Sequence, residues 1–187
     1  MNETGEGAFR LHLKTPVGKA SREAAPAPLP DSTWYQALEI GDGLTCTFPA
    51  GALASARYLT ADLLLDGNHL AVFWLILQEG EQGPAFRLSF GLLNQCQARL
   101  CMPLEAVDQN RWRYERQGAW LKPICMGERV DLRKVDRLSL LVRMKSHLPV
   151  RWWMTPISVT FEQPPPLETP LLPMGKLLDE MGQSTIH

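Results

Sequence analysis

The sequence has little net charge, no long apolar run and no basic leader. Among its 187 residues, 19 are Lys or Arg and 20 are Asp or Glu, so the formal net charge is −1. That balance gives no long-range attraction to nucleic acid or to anionic membranes. The longest apolar stretch, residues 70–77, is too short to span a bilayer. The N-terminus has no basic region followed by an apolar run, so no signal peptide is expected. A cytoplasmic location is the default expectation, and secretion of a longer parent protein stays open.

Motifs for metal binding and catalysis are also missing. The four cysteines are Cys46, Cys96, Cys101 and Cys125, and none forms a Cys-x-x-Cys pair or has a His at zinc-finger spacing. Two disulfides are arithmetically possible, but Cys46 lies in an alternating strand pattern and is predicted to be a small buried residue. There is no Gly-x-Ser-x-Gly, no His-x-x-x-His and no phosphate-binding glycine loop. We therefore expect this chain alone not to be an enzyme.

Most of the chain has the two-residue period of half-buried β-strands. Phe9, Leu11 and Leu13, for example, alternate with polar residues. The other predicted strands are 44–48, 58–65, 70–78, 86–90, 97–102, 138–144 and 151–161, with Pro156 at an edge or bulge. Residues 15–33 are predicted to be irregular. About nine short strands and hardly any helix indicate an all-β antiparallel sandwich, for which jelly-roll topology is favoured.

Turn residues suggest how these strands are connected. Asp66-Gly67-Asn68 predicts a hairpin between strands 58–65 and 70–78, because Gly and Asn tolerate positive φ. Residues 79–84 predict a second hairpin leading into strand 86–90. Residues 131–135 predict one helical turn before strand 138–144.

The last part of the sequence differs in composition from the body. Residues 164–166 are three consecutive prolines, and further prolines follow at 170 and 173. Such a stretch stays extended and acts as a semi-rigid spacer. We therefore divide the chain into a β-sandwich, residues 1–162, and a Pro-rich extended tail, residues 163–187, that leads into a further domain.

Two segments resemble a known kind of protein. The tail Pro-Leu-Leu-Pro-Met-Gly-Lys-Leu-Leu-Asp-Glu-Met-Gly-Gln, residues 170–183, is similar to the junction between an N-terminal carbohydrate-binding-like sandwich and the TIM barrel of agarase-type glycoside hydrolases. Residues 130–135 and the strand at 137–142 resemble galactose-binding-like sandwich modules. The resemblance implies a non-catalytic accessory module that binds or positions polysaccharide beside a downstream catalytic domain. No catalytic residue is carried over, because the carboxylates of such hydrolases belong to the barrel.

Two other functions remain open. The module could stabilise the barrel without binding sugar, or the chain could be a free-standing lectin-like protein.

Candidate sugar contacts cluster in one stretch. Sugar recognition needs flat aromatic faces with planar polar groups at their edges. Residues 110–122 supply both kinds of group: Trp112, Tyr114 and Trp120 with Arg111, Arg113 and Lys122. The same residues also fit core strand positions with solvated arginines, or a domain interface.

A second aromatic pair follows at Trp152 and Trp153. Neighbouring strand residues point to opposite faces, so at most one of them lies in the core. The other is predicted to contact the downstream domain, with Trp153 also a candidate for stacking on a sugar.

The sequence calls for no cofactor. Asp62, Asp66 and Asn68 could ligate a structural calcium ion, although a hairpin turn explains Asp66 and Asn68 without a metal.

Overall fold

Two antiparallel sheets stacked face to face form the protein. A computed structural model describes residues 8–23, 29, 31–93, 95–107, 114–116, 119–121, 125–144 and 148–165, with the backbone alone at 114–116 and 119–121. The strands in chain order are β1 (Phe9–Leu11), β2 (Thr15–Val17), β3 (Ser21–Glu23), β4 (Thr33–Ala37), β5 (Gly43–Thr47), β6 (Tyr58–Asp66), β7 (Ala71–Gln78), β8 (Ala85–Leu92), β9 (Gln97–Pro103), β10 (Tyr114–Arg116), β11 (Ala119–Leu121), β12 (Cys125–Gly127), β13 (Arg137–Val142), β14 (Val150–Met154) and β15 (Ile157–Thr160). A short 3-10 helix, Leu104–Val107, follows β9.

The seven-stranded sheet has the order β1-β15-β6-β14-β4-β3, and β9 pairs with the free side of β6. The six-stranded sheet has the order β12-β8-β7-β13-β5-β2. Strands β10 and β11 form a separate hairpin between β9 and β12. The antiparallel β-sandwich of jelly-roll type expected from the sequence is thereby confirmed.

The core lies between the two sheets and takes alternate residues from each long strand. In β7, Ala71, Phe73, Leu75 and Leu77 are buried, and the residues between them are only half-buried. Apolar side chains that face each other across the sheets remove a continuous surface from water, which is the main favourable term in folding. Since β7 pairs with both β8 and β13, it is the central strand that its apolar sequence indicated.

The turn at residues 67–70 does not form the expected hairpin. β6 pairs with β9, β14 and β15, while β7 pairs with β8 and β13, so the chain crosses there from one sheet to the other. The turn residues reverse the chain direction. However, β6 and β7 are not paired in one sheet; they lie in opposite sheets, and their buried side chains face each other across the core. The hairpin at residues 79–84 is confirmed, because β7 and β8 pair along their lengths.

Two other segments also differ from expectation. Residues 15–33, predicted to be irregular, contribute β2, β3 and the start of β4. The predicted strand 151–161 is split into β14 and β15, with Pro156 between them, because Pro lacks the N–H that a continuous ladder needs.

The turn predicted at 131–135 is present, closed by a hydrogen bond of 2.7 Å from Lys134 N to Asp131 O.

Several connections meet at one end of the sandwich, which we call the loop end. They follow β4, β6, β8 and β13, whose last residues pair with the first residues of β14 or β7. Six apolar side chains in these connections are exposed: Leu38, Ile40, Leu70, Leu93, Met144 and Leu148. Within the described part of the chain, no helix is long and apolar enough to cross a membrane.

Cys46 is buried as predicted, and we expect its thiol to be unreactive in the folded protein. Burial raises the pKa of its thiol to about 11, against a smaller lowering by a hydrogen bond with the Leu138 backbone. The reactive species is the thiolate, so we expect Cys46 to resist iodoacetamide at pH 8 in the folded protein. The exposed Cys101 should react first, and both should react in urea. Peptide mapping by mass spectrometry checks this, and equal native labelling of the two thiols would contradict the buried position.

Candidate functional site

The outer face of the six-stranded sheet carries a cluster that we call the Trp74 face. Its members are Trp74, Arg87, Ser89, Leu141 and Arg143. Trp74 lies on β7 directly between its cross-strand partners Ser89 on β8 and Leu141 on β13. It points away from the core because its neighbours on β7, Phe73 and Leu75, are buried.

Two arginines share this face with Trp74. The guanidinium carbon of Arg87 lies 5.9 Å from the ring centroid, within the range of a cation–π contact. Arg143 Nη1 donates to Ser89 Oγ over 2.9 Å, and Ser89 is the cross-strand partner of Trp74. An aromatic plane, two planar cations and a hydroxyl therefore share one sheet face.

Hydroxyl groups continue across the sheet toward β5. Ser139 Oγ donates to Thr45 Oγ1 at 2.8 Å, and Thr45 Oγ1 donates to Leu138 O at 3.0 Å. Hydroxyl groups therefore lie on the β13 side of Trp74, and Arg87 and Ser89 lie on the β8 side.

The stretch predicted to bind sugar lies only partly within the described residues. Arg111, Trp112, Arg113 and Lys122 lie outside them. Tyr114 and Trp120 belong to β10 and β11, whose register pairs Tyr114 with Leu121 and Glu115 with Trp120. The chain then enters β12, where Met126 is the cross-strand partner of Arg87. The predicted stretch thus leads into the edge of the sheet that carries the Trp74 face, and its own sugar contacts stay a prediction.

The outer face of the seven-stranded sheet has a second aromatic cluster, the Trp153 face: Trp34, Leu64, Gln97, Arg151 and Trp153. The ring centroids of Trp34 and Trp153 are 5.2 Å apart and their planes are tilted by 58°. The guanidinium carbon of Arg151 lies 5.7 Å from the Trp34 centroid. As expected of neighbours on a strand, Trp152 points the opposite way and is 0% exposed. Of the two tryptophans assigned to an interface, only Trp153 is available for one.

Beside this face, Arg99 joins the body to the start of the tail. It forms a two-bond ion pair with Asp62, Nε to Oδ1 at 2.6 Å and Nη2 to Oδ2 at 2.8 Å. Its remaining nitrogen, Nη1, donates to the carbonyl oxygen of Pro165 at 2.6 Å. The hydrogen bond with Asp62 raises the pKa of Arg99, so the cation persists at any physiological pH.

The calcium candidates each contact a protein group. Asp62 pairs with Arg99, Asp66 lies 3.5 Å from Arg151, and Asn68 Oδ1 accepts from the Gln95 side chain at 3.2 Å. Among the described residues, no three His, Cys, Asp or Glu side chains converge as metal ligands would. Calcium binding here stays a prediction.

Sequence reasoning did not single out Trp34, Trp74, Arg87 or Arg143. Trp74 lies in a run that is apolar on both faces of the strand. The alternation of polar and apolar residues, which elsewhere marks the outer face, is therefore missing there and did not distinguish Trp74 from the core residues. The sequence feature that could have identified Trp74 is the size of its side chain. A Trp on the outer face of a central strand exposes a large apolar surface unless another residue or a ligand covers it.

The fold is shared with proteins of known structure, although no protein-family model and no curated protein matches the sequence. A family 11 carbohydrate-binding module from Clostridium thermocellum, solved in complex with a β-1,3-1,4-mixed-linked tetrasaccharide, is 13% identical with a TM-score of 0.54; the match covers 85% of this chain and 86% of that one. An exo-β-agarase is 17% identical with a TM-score of 0.54, over 88% of this chain and 24% of that enzyme.

A crystal structure of another agarase is 13% identical with a TM-score of 0.56, over 87% of this chain and 25% of the agarase. The chain therefore spans about a quarter of the length of these agarases. At these identities the likeness is one of fold: the protein has the β-sandwich of a carbohydrate-binding module, which also occurs within agarases. The resemblance noted in the sequence is confirmed at that level.

Proposed function

We propose that this chain is a non-catalytic accessory module that binds polysaccharide on the Trp74 face. The observation that carries the proposal is the grouping of Trp74 with Arg87, Arg143 and Ser89 on one sheet face. The sandwich shared with a carbohydrate-binding module supports it. A linked catalytic domain is the partner that the agarase likeness suggests.

The chemistry of the Trp74 face suits a pyranose. The apolar C–H face of a sugar ring packs on an indole plane, and the hydroxyls around the ring need donors and acceptors at its edge. Arg87 and Arg143 present fixed forks of N–H donors, and Ser89 can both donate and accept. Because the face belongs to a paired, central part of the sheet, its backbone is already ordered before binding, and the bond to Ser89 orders Arg143 as well.

The test is binding of the chain to a panel of galactans and mixed-linkage glucans by calorimetry. We expect at least one of them to bind. Trp74→Ala removes the stacking surface and should weaken that binding about ten-fold or more, a loss of about 1.4 kcal/mol. Trp153→Ala, which removes a tryptophan from the opposite face, is the matched variant and should leave the affinity unchanged.

Two results would count against this site. No binding across the panel would reject the sugar-binding role, and loss of binding in Trp153→Ala alone would move the site to the other sheet.

A second candidate role is structural, with the module packing on a downstream catalytic domain. The exposed apolar side chains of the loop end favour it: Ile40 is 54% exposed and Leu148 60%. Contiguous exposed apolar surface commonly marks a protein contact. If this is the only role, the chain binds no glycan, and deletion of the module lowers the melting temperature of the parent protein.

A further inference from the structure

We propose that a cleft on the outer face of the seven-stranded sheet binds a neutral sugar residue through its hydroxyl groups. We call it the Thr60 cleft, and the side chains that the argument uses are Thr60, Asp62, Arg99, Thr155 and Ser158. Its volume is about 350 Å³, near the lower end of the range for small-molecule sites, so it suits one small ligand. The proposal does not rest on the Trp74 face, which belongs to the other sheet.

Cross-strand pairing brings the side chains of the cleft together. On β6, Thr60 and Asp62 flank the buried Ala61 and therefore both point to the outer face. A cross-strand partner of Thr60 is Ser158 on β15, and the partner of Asp62 on β9 is Arg99. Cross-strand partners have Cβ atoms about 5 Å apart, and next-nearest residues on one strand are about 7 Å apart. Three strands thus place four polar side chains around one small area.

Several polar groups of the cleft are held in place before any ligand binds. Arg99 makes two hydrogen bonds to Asp62 and a third to the carbonyl oxygen of Pro165. The remaining N–H groups of its guanidinium stay available for a ligand. Thr155 Oγ1 accepts from Asp62 N at 2.9 Å, which leaves the hydroxyl hydrogen of Thr155 free to donate. Groups that are ordered in advance lose little conformational freedom on binding.

Thr60 lines the cleft with a hydroxyl that lacks a partner. The residue is only 8% exposed, and its Oγ1 has no hydrogen-bond partner among the described residues. A buried hydroxyl left unpaired costs free energy, and the large majority of such groups in proteins are paired. A ligand hydroxyl that enters the cleft would supply the partner that the described part of the chain does not.

The charges in and around the cleft cancel. Arg99 pairs with Asp62, and at the rim Arg10 pairs with Asp31 at 3.0 Å. An anion would meet two carboxylates and a cation would meet two guanidinium groups, so neither gains from the local charge. A neutral ligand with several hydroxyls can use both, because carboxylates accept, guanidinium groups donate and hydroxyls do either. None of the described residues that line the cleft is aromatic, so recognition depends on hydrogen bonds rather than stacking.

Titration of the full chain with galactose, glucose, mannose and xylose, followed by the shifts of its amide NMR signals, tests the cleft. We expect at least one sugar to shift the amides of Thr60, Asp62, Arg99 and Ser158 in a saturable way. Thr60→Val keeps the shape of the side chain and removes the hydroxyl. It should raise the half-saturating concentration about three- to ten-fold, as expected for loss of one hydrogen bond. Thr60→Ser keeps the hydroxyl and should bind as the unmodified chain does.

The chain offers a matched control for these variants. Ser21→Ala removes a hydroxyl from β3, at the far edge of the same sheet, and should leave the half-saturating concentration unchanged.

A tetrasaccharide of the same sugar distinguishes two sources of the bound residue. If the cleft takes a residue of a longer glycan, the tetrasaccharide should reach half-saturation at the same or a lower concentration than the monosaccharide. If the cleft takes the free sugar, the tetrasaccharide should need a higher concentration. Either result supports the cleft.

Four outcomes overturn the proposal. No saturable shift in the unmodified chain rejects it directly, so the test does not depend on the variants folding. Shifts confined to β7, β8 and β13 would place sugar on the Trp74 face alone, so the two proposed sites can fail separately. An unchanged affinity in Thr60→Val would remove its hydroxyl from the site. Tighter binding of galacturonate than of galactose would make the cleft an anion site.

Discussion

Replacing Trp152 by Ala is expected to lower the free energy of unfolding by about 3–5 kcal/mol, the range for removing a large buried aromatic side chain. Trp152 is 0% exposed and is the largest fully buried side chain among the residues that the structure describes. Its ring lies 5.2 Å from Phe73 in an edge-to-face arrangement and 5.8 Å from Tyr35. Phe73 belongs to the six-stranded sheet and Tyr35 to the seven-stranded one, so the indole joins the two sheets. Its loss would leave a cavity that strands held in two ladders cannot close.

Urea unfolding followed by circular dichroism measures this effect, and the chain offers a matched control. Trp153→Ala removes the same side chain one residue later, on the outer face, and should cost only about 1–2 kcal/mol because the residue is partly exposed. Trp152→Phe should cost less than Trp152→Ala, since it keeps an aromatic ring and removes an indole N–H that has no acceptor among the described residues. Equal losses for the two alanine variants would mean that Trp152 does not bridge the sheets.

Replacing Asp42 by Ala should give the second large loss, about 2–4 kcal/mol, because three backbone donors in part-buried hydrogen bonds lose a charged acceptor. Asp42 is 4% exposed. Its Oδ1 accepts from Lys19 N at 2.9 Å, and its Oδ2 accepts from Leu38 N at 3.0 Å and Glu39 N at 2.8 Å. Lys19 lies between β2 and β3, and Leu38 and Glu39 lie between β4 and β5. One carboxylate therefore joins two connections that each cross between the sheets.

The contribution of Asp42 should depend on pH. Burial by itself would raise the pKa of this carboxyl, but the backbone hydrogen bonds from Lys19, Glu39 and Leu38, with the charge of Lys19, outweigh it and lower the pKa below the ordinary value of 3.8. The folded protein then binds fewer protons at this site than the unfolded chain. The stabilisation is therefore complete above the ordinary pKa and is lost as the pH falls through the lowered folded value.

Urea midpoints measured between pH 7 and pH 2 check this. The difference in stability between the protein and Asp42→Asn should be constant near neutral pH and shrink below about pH 4. Gly18→Ala serves as a coupled variant, because Gly18 has φ of +66° and an added Cβ would collide with the Asp42 carboxylate. Part of its cost should disappear when Asp42 is also replaced by Ala. A pH-independent difference and additive costs would both contradict this role for Asp42.

Much of the fold follows from local pattern. The alternation in Phe9, Leu11 and Leu13 and the apolar run in β7 predicted strands correctly, since side-chain direction in a strand depends only on the residue's position. The turn at Asp66-Gly67-Asn68 was interpreted wrongly as a hairpin. Reversal of the chain is a local property of turn residues, whereas the choice of pairing partner depends on which distant strands compete for the same edge.

The candidate site was less accessible from the sequence. The density of Trp and Arg at residues 110–122 drew attention to the segment that leads into β12. The Trp74 face instead combines residues from β7, β8 and β13, which are brought together only by pairing. Arg143 reaches Ser89 across 54 positions of sequence, a contact that no local pattern contains.

The sequence alone determined the strand character of the body, the burial of Cys46, the opposite directions of Trp152 and Trp153, and the change of composition at residue 163. Each of these depends on neighbouring residues and the geometry of a single strand. The tertiary structure decided which tryptophan is inside, which groups gather on the Trp74 face, and that Arg99 holds Pro165. Those features require strands far apart in the chain to pair in one register, and the free energy that selects the register comes from burial of the whole core.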